Sequence, residues 1–203
     1  LRSLVGSEMC IRDSPYAEGK TSIMQFPHLL LGVLALFLYV GVETIALATA
    51  TGYAKALELP GDNYGFIPSI GMVVGYICGA TLIPKYLSQA TAMKICAIIA
   101  IIGSALVATM PAEISIYCIF FMALGCSLMW PALWPLAMAD LGKFTKAGSS
   151  LLTMAIAGGA VMPWVRGVVQ DATSFQTSYW ICVPCFLFIL YYGMIGYKIR
   201  TKK

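Results

Sequence analysis

The sequence predicts an all-α membrane protein of six spanning helices, and three observations carry that expectation. First, the 203 residues are 60% hydrophobic and only 11% charged, whereas soluble domains carry roughly 25% charged residues. With a mean hydropathy of +0.83, the chain cannot build a polar shell around a soluble core. Second, its apolar residues gather in six runs, each long enough to cross about 30 Å of hydrocarbon at about 1.5 Å per residue. Third, the basic residues flank those runs on alternate sides, as membrane topology requires. Topology therefore accounts for the net charge of +4, and no nucleic-acid partner is expected.

Residues 1–20, LRSLVGSEMCIRDSPYAEGK, are polar and aperiodic, with no apolar stretch of the kind a signal peptide needs. LVGSEMCIRDS resembles translated sequencing-adapter read-through. This segment is expected to be a non-native or disordered leader, an ordinary cytoplasmic tail being the alternative. Residues 21–203 are expected to form one six-helix transmembrane domain, with spans at about 27–53, 64–83, 92–110, 114–139, 149–169 and 178–197.

The first span carries Glu43 near its middle, together with Tyr39 and Thr44. An acid at the centre of a membrane helix costs at least about 2.5–3.5 kcal/mol, so such residues usually face other helices or water and serve a function. Tyr39 and Glu43 are four apart and share a helix face. The single histidine, His28, starts this span and is expected at the interface.

The second span places Gly71, Gly75 and Gly79 at a spacing of four, a stripe that lets another helix approach closely. The fourth contains MWPALWP, in which Trp130 and Trp134 share a face and Pro131 and Pro135 share the neighbouring one. Each proline removes a backbone hydrogen bond and kinks the helix. Trp130 lies well inside the run, where an indole offers a flat apolar face and one N–H donor. That pairing suits the apolar face of a sugar ring, and a kinked helix with interfacial tryptophans is the structural alternative. The fifth span has Gly158, Gly159 and Pro163, then Arg166, expected to snorkel to the interface or pair with Asp171. The sixth opens with Cys182-Val-Pro-Cys185.

Connections are short, so consecutive helices are antiparallel neighbours. One side receives Lys85, Lys94, Lys143, Lys146, Lys198, Arg200, Lys202 and Lys203. The other receives Lys55 and Arg166 with Glu58, Asp62, Glu113 and Asp171. The bias predicts both termini in the cytoplasm. All cysteines but Cys10 lie in apolar runs and read as small hydrophobes. No P-loop, dinucleotide fingerprint or nucleophile–base constellation is present. One histidine and no clustered acids argue against a metal site, so neither an enzyme activity nor a cofactor is expected.

From about residue 25 onward the chain resembles the second half of a major facilitator superfamily transporter, and most closely the fucose:proton symporter family with its bacterial glucose/galactose transporters. LALFLYVGVE in the first span, the glycine-striped second span running into PKYLS, and MWPALWPLAMADLGKFTKAGSSLLTMAIAGGAVMP carry the resemblance. Two positions depart from the family pattern. Tyr76 stands where an arginine is expected, and Arg166 stands in a normally apolar stretch.

The resemblance implies spans seven to twelve of a twelve-span bundle, with the substrate held between two halves. It also implies that the first and fourth spans line one cavity, so that Glu43 faces Trp130 and Trp134. The family's main proton-coupling acids belong to the missing N-terminal half. The implied function is alternating-access uptake of a monosaccharide (glucose, galactose or fucose type) coupled to a proton or cation, across a bacterial inner membrane. Glu43, Tyr39, Thr44 and the indoles of Trp130 and Trp134 are the expected substrate or coupling groups. Gly71, Gly75, Gly79, Gly158 and Gly159 are expected to serve packing. The alternatives are a half-size transporter that dimerises, a membrane thiol oxidoreductase using Cys182 and Cys185, and a non-transporting sugar sensor.

Overall fold

A computed structural model describes residues 16–60, 63–83 and 86–201. Residues 1–15, Asp62, Lys85, Lys202 and Lys203 lie outside the described residues, and with them most of the expected leader and part of the charge bias. The described part of that leader is packed. Tyr16 meets Phe26 edge-on at 5.7 Å and His28 at 5.6 Å. The Lys20 ammonium sits 3.4 Å over the Tyr16 ring and 4.0 Å over the Phe26 ring.

Among the described residues, six helices are long and apolar enough to cross a membrane. The first begins as α1 (Pro27–Ala48), with proline at its first position, where no N–H is needed. It continues after Thr49 as α2 (Ala50–Ala56). The Thr49 hydroxyl donates back to the Ile45 carbonyl at 2.5 Å, a bond that bends helices. The second is α3 (Phe66–Leu82), entered through a tight turn at Asn63–Gly65. The third is α4 (Gln89–Thr109), capped by Ser88, whose hydroxyl accepts the Thr91 N–H at 3.2 Å.

The fourth is broken into α5 (Ala112–Cys126) and α6 (Met129–Met138). The kink expected from the prolines falls upstream of them, because Pro131 has no N–H to offer the Ser127 carbonyl four residues back. The fifth comprises α7 (Thr145–Met154) and α8 (Gly158–Ala172), joined by a tighter turn at Ala155–Ala157. The sixth centres on α9 (Cys182–Met194), with tight turns at both ends.

Helix α1 is the central element, packing on α8, α6 and α9. Helix α3 leans on α5, and α4 fills the space between α5 and α9. The core holds the fully buried rings of Phe26, Tyr39, Tyr53, Tyr179, Phe186 and Tyr192. The second and fifth spans are the least buried of the six. Each turns a row of large apolar side chains outward: Phe66, Ile70, Val73 and Ile77 on α3, and Val161, Trp164 and Val168 on α8.

The glycines named above all lie in close helix contacts. A Cβ at Gly71 would come within 2.6 Å of the Phe120 carbonyl oxygen, and one at Gly75 or Gly79 would overlap Ser127 or Leu128. The stripe is thus the seam between α3 and the fourth span, running from α5 into the break at Ser127 and Leu128. Gly158 sits directly against the Phe37 backbone, and a Cβ at Gly159 would lie 3.1 Å from the Val40 and Thr44 side chains, which is the α1–α8 seam.

His28 is fully buried among protein side chains, its Nε2 3.0 Å from the Ala139 carbonyl, because residues 16–26 fold back over it. One expectation about a polar residue is corrected. Arg166 neither snorkels nor pairs with the exposed Asp171. It is 6% exposed, donates to the Ser178 hydroxyl at 2.9 Å, and lies 4.5 Å over the Phe175 ring.

Candidate functional site

The five expected site residues fall on two elements, α1 and α6, and the structure brings four of them together. Tyr39 is fully buried between α1 and the end of α5. Its hydroxyl lies 2.7 Å from Glu43 Oε1 and 3.2 Å from the Cys126 carbonyl oxygen. The four-residue spacing makes the first contact, and the close packing of α1 on the fourth span makes the second.

Glu43 is half-buried. Tyr76 on α3 is an electrostatic neighbour of both Glu43 and Tyr39. Tyr76, where the resemblance led an arginine to be expected, therefore belongs to the surroundings of the acid.

Trp130 and Trp134 stack with ring centroids 5.7 Å apart and planes 25° apart. Trp130 also meets the Tyr39 ring at 6.2 Å. Both indoles are half-buried, whereas Pro131 and Pro135 face outward. The result is a carboxylate and a phenol at one edge of a shared aromatic surface. Thr44 stands apart: its hydroxyl donates to the Val40 carbonyl at 2.8 Å, and its side chain lies in the α1–α8 seam.

Three further features bear on the site. The Cys126 carbonyl, at the break in the fourth span, completes the Tyr39 contacts. Only the proline four residues beyond Ser127 hints at that break in the sequence. At the far end of α1, Thr49 Oγ1 lies 2.6 Å from the Tyr179 hydroxyl, and the Tyr53 hydroxyl lies 2.5 Å from Ser115 Oγ. An apolar crevice of about 210 Å³ opens between α3, α4 and the α5–α6 break, lined by Gly75, Cys78, Leu82, Cys96, Leu124 and Leu128 among others. It contains none of the site residues, and its lining is apolar apart from Ser127.

Cys182 and Cys185 are both buried, and the Cys185 thiol donates to the Ile181 carbonyl at 3.2 Å. A redox pair needs an exposed, activated thiol, so this burial weighs against the oxidoreductase alternative. Among the described residues, no group of three or more histidine, cysteine or acidic side chains is placed to hold a metal.

No protein-family model matches the chain. Similar curated proteins include the glucose/galactose transporter of Brucella abortus, 28% identical over 194 residues covering 92% of this chain and 47% of that protein. The putative glucose/galactose transporter of Helicobacter pylori is 29% identical over 201 residues. The L-fucose-proton symporter of Escherichia coli is 27% identical over 197 residues, covering 94% of this chain and 45% of that protein. The chain thus spans about half the length of the curated relatives it matches.

A solved structure of the major facilitator superfamily transporter FucP, in the outward conformation, superposes with a TM-score of 0.78 at 23% identity. The match covers 99% of this chain and 52% of that one. The chain is therefore an integral multi-pass membrane protein with the fold of one half of a major facilitator superfamily transporter, and a relative of the glucose/galactose transporters and L-fucose-proton symporters.

Proposed function

We propose that the chain is the C-terminal half, spans seven to twelve, of a secondary active transporter. It takes up a monosaccharide of the glucose, galactose or fucose type by alternating access, driven by a proton or cation gradient. The observation that carries this reading is the Tyr39–Glu43 pair at the edge of the Trp130–Trp134 stack. A sugar ring lays its apolar face on an indole, and its hydroxyls need acceptors and donors beside it. Glu43 and Tyr39 supply both kinds of group. The names of the curated relatives support the same substrate class.

In this reading the N-terminal half of the same transporter completes the cavity and covers the open faces of α3 and α8. The protein sits in a bacterial inner membrane with both termini in the cytoplasm, as the basic side of the loops indicates. Thr44 serves the α1–α8 seam rather than the sugar.

Glu43→Gln in the full-length protein, reconstituted in proteoliposomes, is the test. Retained sugar exchange with lost gradient-driven accumulation assigns Glu43 to coupling, and lost sugar binding assigns it to substrate. Wild-type behaviour of the variant would refute both roles. The 203-residue chain alone is expected to show no uptake.

A further inference from the structure

The contacts of Tyr39 are one proton short. A phenol has a single O–H to donate, yet the Tyr39 oxygen lies within hydrogen-bonding distance of two acceptors, Glu43 Oε1 at 2.7 Å and the Cys126 carbonyl at 3.2 Å. An ionised carboxylate only accepts. With Glu43 charged, the Tyr39 proton goes to the nearer, charged oxygen, and the carbonyl at the break loses its donor. A buried acceptor without a donor is unfavourable.

We propose that Glu43, Tyr39 and the Cys126 carbonyl form a proton-binding site, in which Tyr39 passes the protonation state of Glu43 on to the break in the fourth span. The proposal rests on the transport reading and deepens it by giving the coupling ion a place.

The step balances simply. A proton from water adds to a Glu43 carboxylate oxygen, forming one O–H bond. That O–H donates to the Tyr39 oxygen. The Tyr39 O–H rotates, without breaking, to donate to the Cys126 carbonyl. Every group then has a partner, and α1 is tied to the end of α5. When the proton leaves, the phenol turns back to the carboxylate and the tie is released.

The surroundings suit a proton. The titratable groups acting on Tyr39 and Glu43 are each other, Tyr76 from α3 and the Cys126 thiol from α5. The Cys96 thiol of α4 and the Cys182 thiol of α9 stand behind Cys126. Helix α8 presents Gly158, Gly159 and Met162 to α1, and α6 presents the two indoles. The strongest electrostatic interactions of the pair involve no lysine, arginine or histidine.

The test uses the full-length protein in lipid membranes. Infrared difference spectra across a pH titration report the protonated carboxyl without any sugar. The expected result is a carboxyl band that Glu43→Gln removes. Tyr39→Phe should shift its frequency and displace its titration by about one pH unit, a tenfold change in proton affinity. A spectrum unchanged by Glu43→Gln overturns the proton site. A band unchanged in frequency and titration by Tyr39→Phe, which deletes one oxygen and keeps the ring, overturns the relay, and this arm stands even where Glu43→Gln fails to fold.

A second arm measures sugar-driven proton uptake. Glu43→Gln and Tyr39→Phe should each lower the number of protons moved per sugar transported, whatever they do to the rate of sugar exchange. If the wild type moves no sugar but the infrared result holds, the transport reading fails and the proton site stands. If both variants couple normally, the proton site fails and the transport reading stands.

Discussion

Gly158→Ala sets two known effects against each other at one position. Alanine stabilises a helix interior by about 1 kcal/mol over glycine. At Gly158, however, the added methyl would overlap the Phe37 carbonyl oxygen and come within 3.0 Å of the Phe37 Cα. These are backbone atoms at the middle of α1, so no rotamer change relieves the clash. The seam must open, and overpacking of this kind costs about 1–3 kcal/mol. Because the obstacle is backbone, the upper part of that range applies, leaving a net loss of about 1–2 kcal/mol.

Gly167, on the same helix, is the control: a Cβ there meets nothing within 4 Å. Its alanine variant should gain up to about 1 kcal/mol. Thermal unfolding of the detergent-solubilised chain reads both, at about 2–4 °C per kcal/mol for a domain of this size. Gly158→Ala should melt about 2–8 °C lower and Gly167→Ala up to about 4 °C higher. A Gly158→Ala melting temperature at or above wild type would show that the seam is not tight.

Arg166→Lys keeps the charge but loses the planar stacking on Phe175. It should destabilise the protein by about 1–2 kcal/mol, and by about 0.5 kcal/mol less in a Phe175→Leu background, measured as a double-mutant cycle in thermal unfolding. Cys78 is exposed whereas Cys182 and Cys185 are buried. A membrane-permeant maleimide should therefore label Cys78 in the folded protein and reach the other two only after denaturation, as read by mass spectrometry. On the proposed function, Trp130→Ala in the full-length protein should weaken sugar binding about three- to tenfold, and Trp130→Phe less, in equilibrium dialysis. That range follows from the roughly 0.5–1.5 kcal/mol of a ring-face contact.

The spans were legible because hydropathy reports what lipid tolerates, and six long apolar runs leave little choice. Tyr39 with Glu43, and Trp130 with Trp134, were legible for a local reason: a spacing of four puts both members on one helix face. What joins the two pairs was not. The Cys126 carbonyl is a backbone atom and has no signature in the sequence. Its neighbourhood is set by a helix break whose cause, Pro131, lies several residues downstream. The burial of His28 and Arg166 was hidden for the same reason. Their partners, the folded-back residues 16–26 and the Phe175–Tyr179 segment, are supplied by tertiary packing that no local periodicity encodes. The glycine stripe pointed to a close seam, but only packing says that the fourth span fills it.

The break at Ser127–Leu128 is also where the glycine stripe takes hold of the fourth span. Helix α5 is held by α3 and α4, and α6 by α1 and α4. Gly75 packs on Ser127 and Gly79 on Leu128, so α3 grips the residues at which the span is interrupted. The fourth span is thus a strut pinned at its weakest point. The place of Trp130 and Trp134 beside Tyr39 is set by a contact that two missing side chains on another helix make possible.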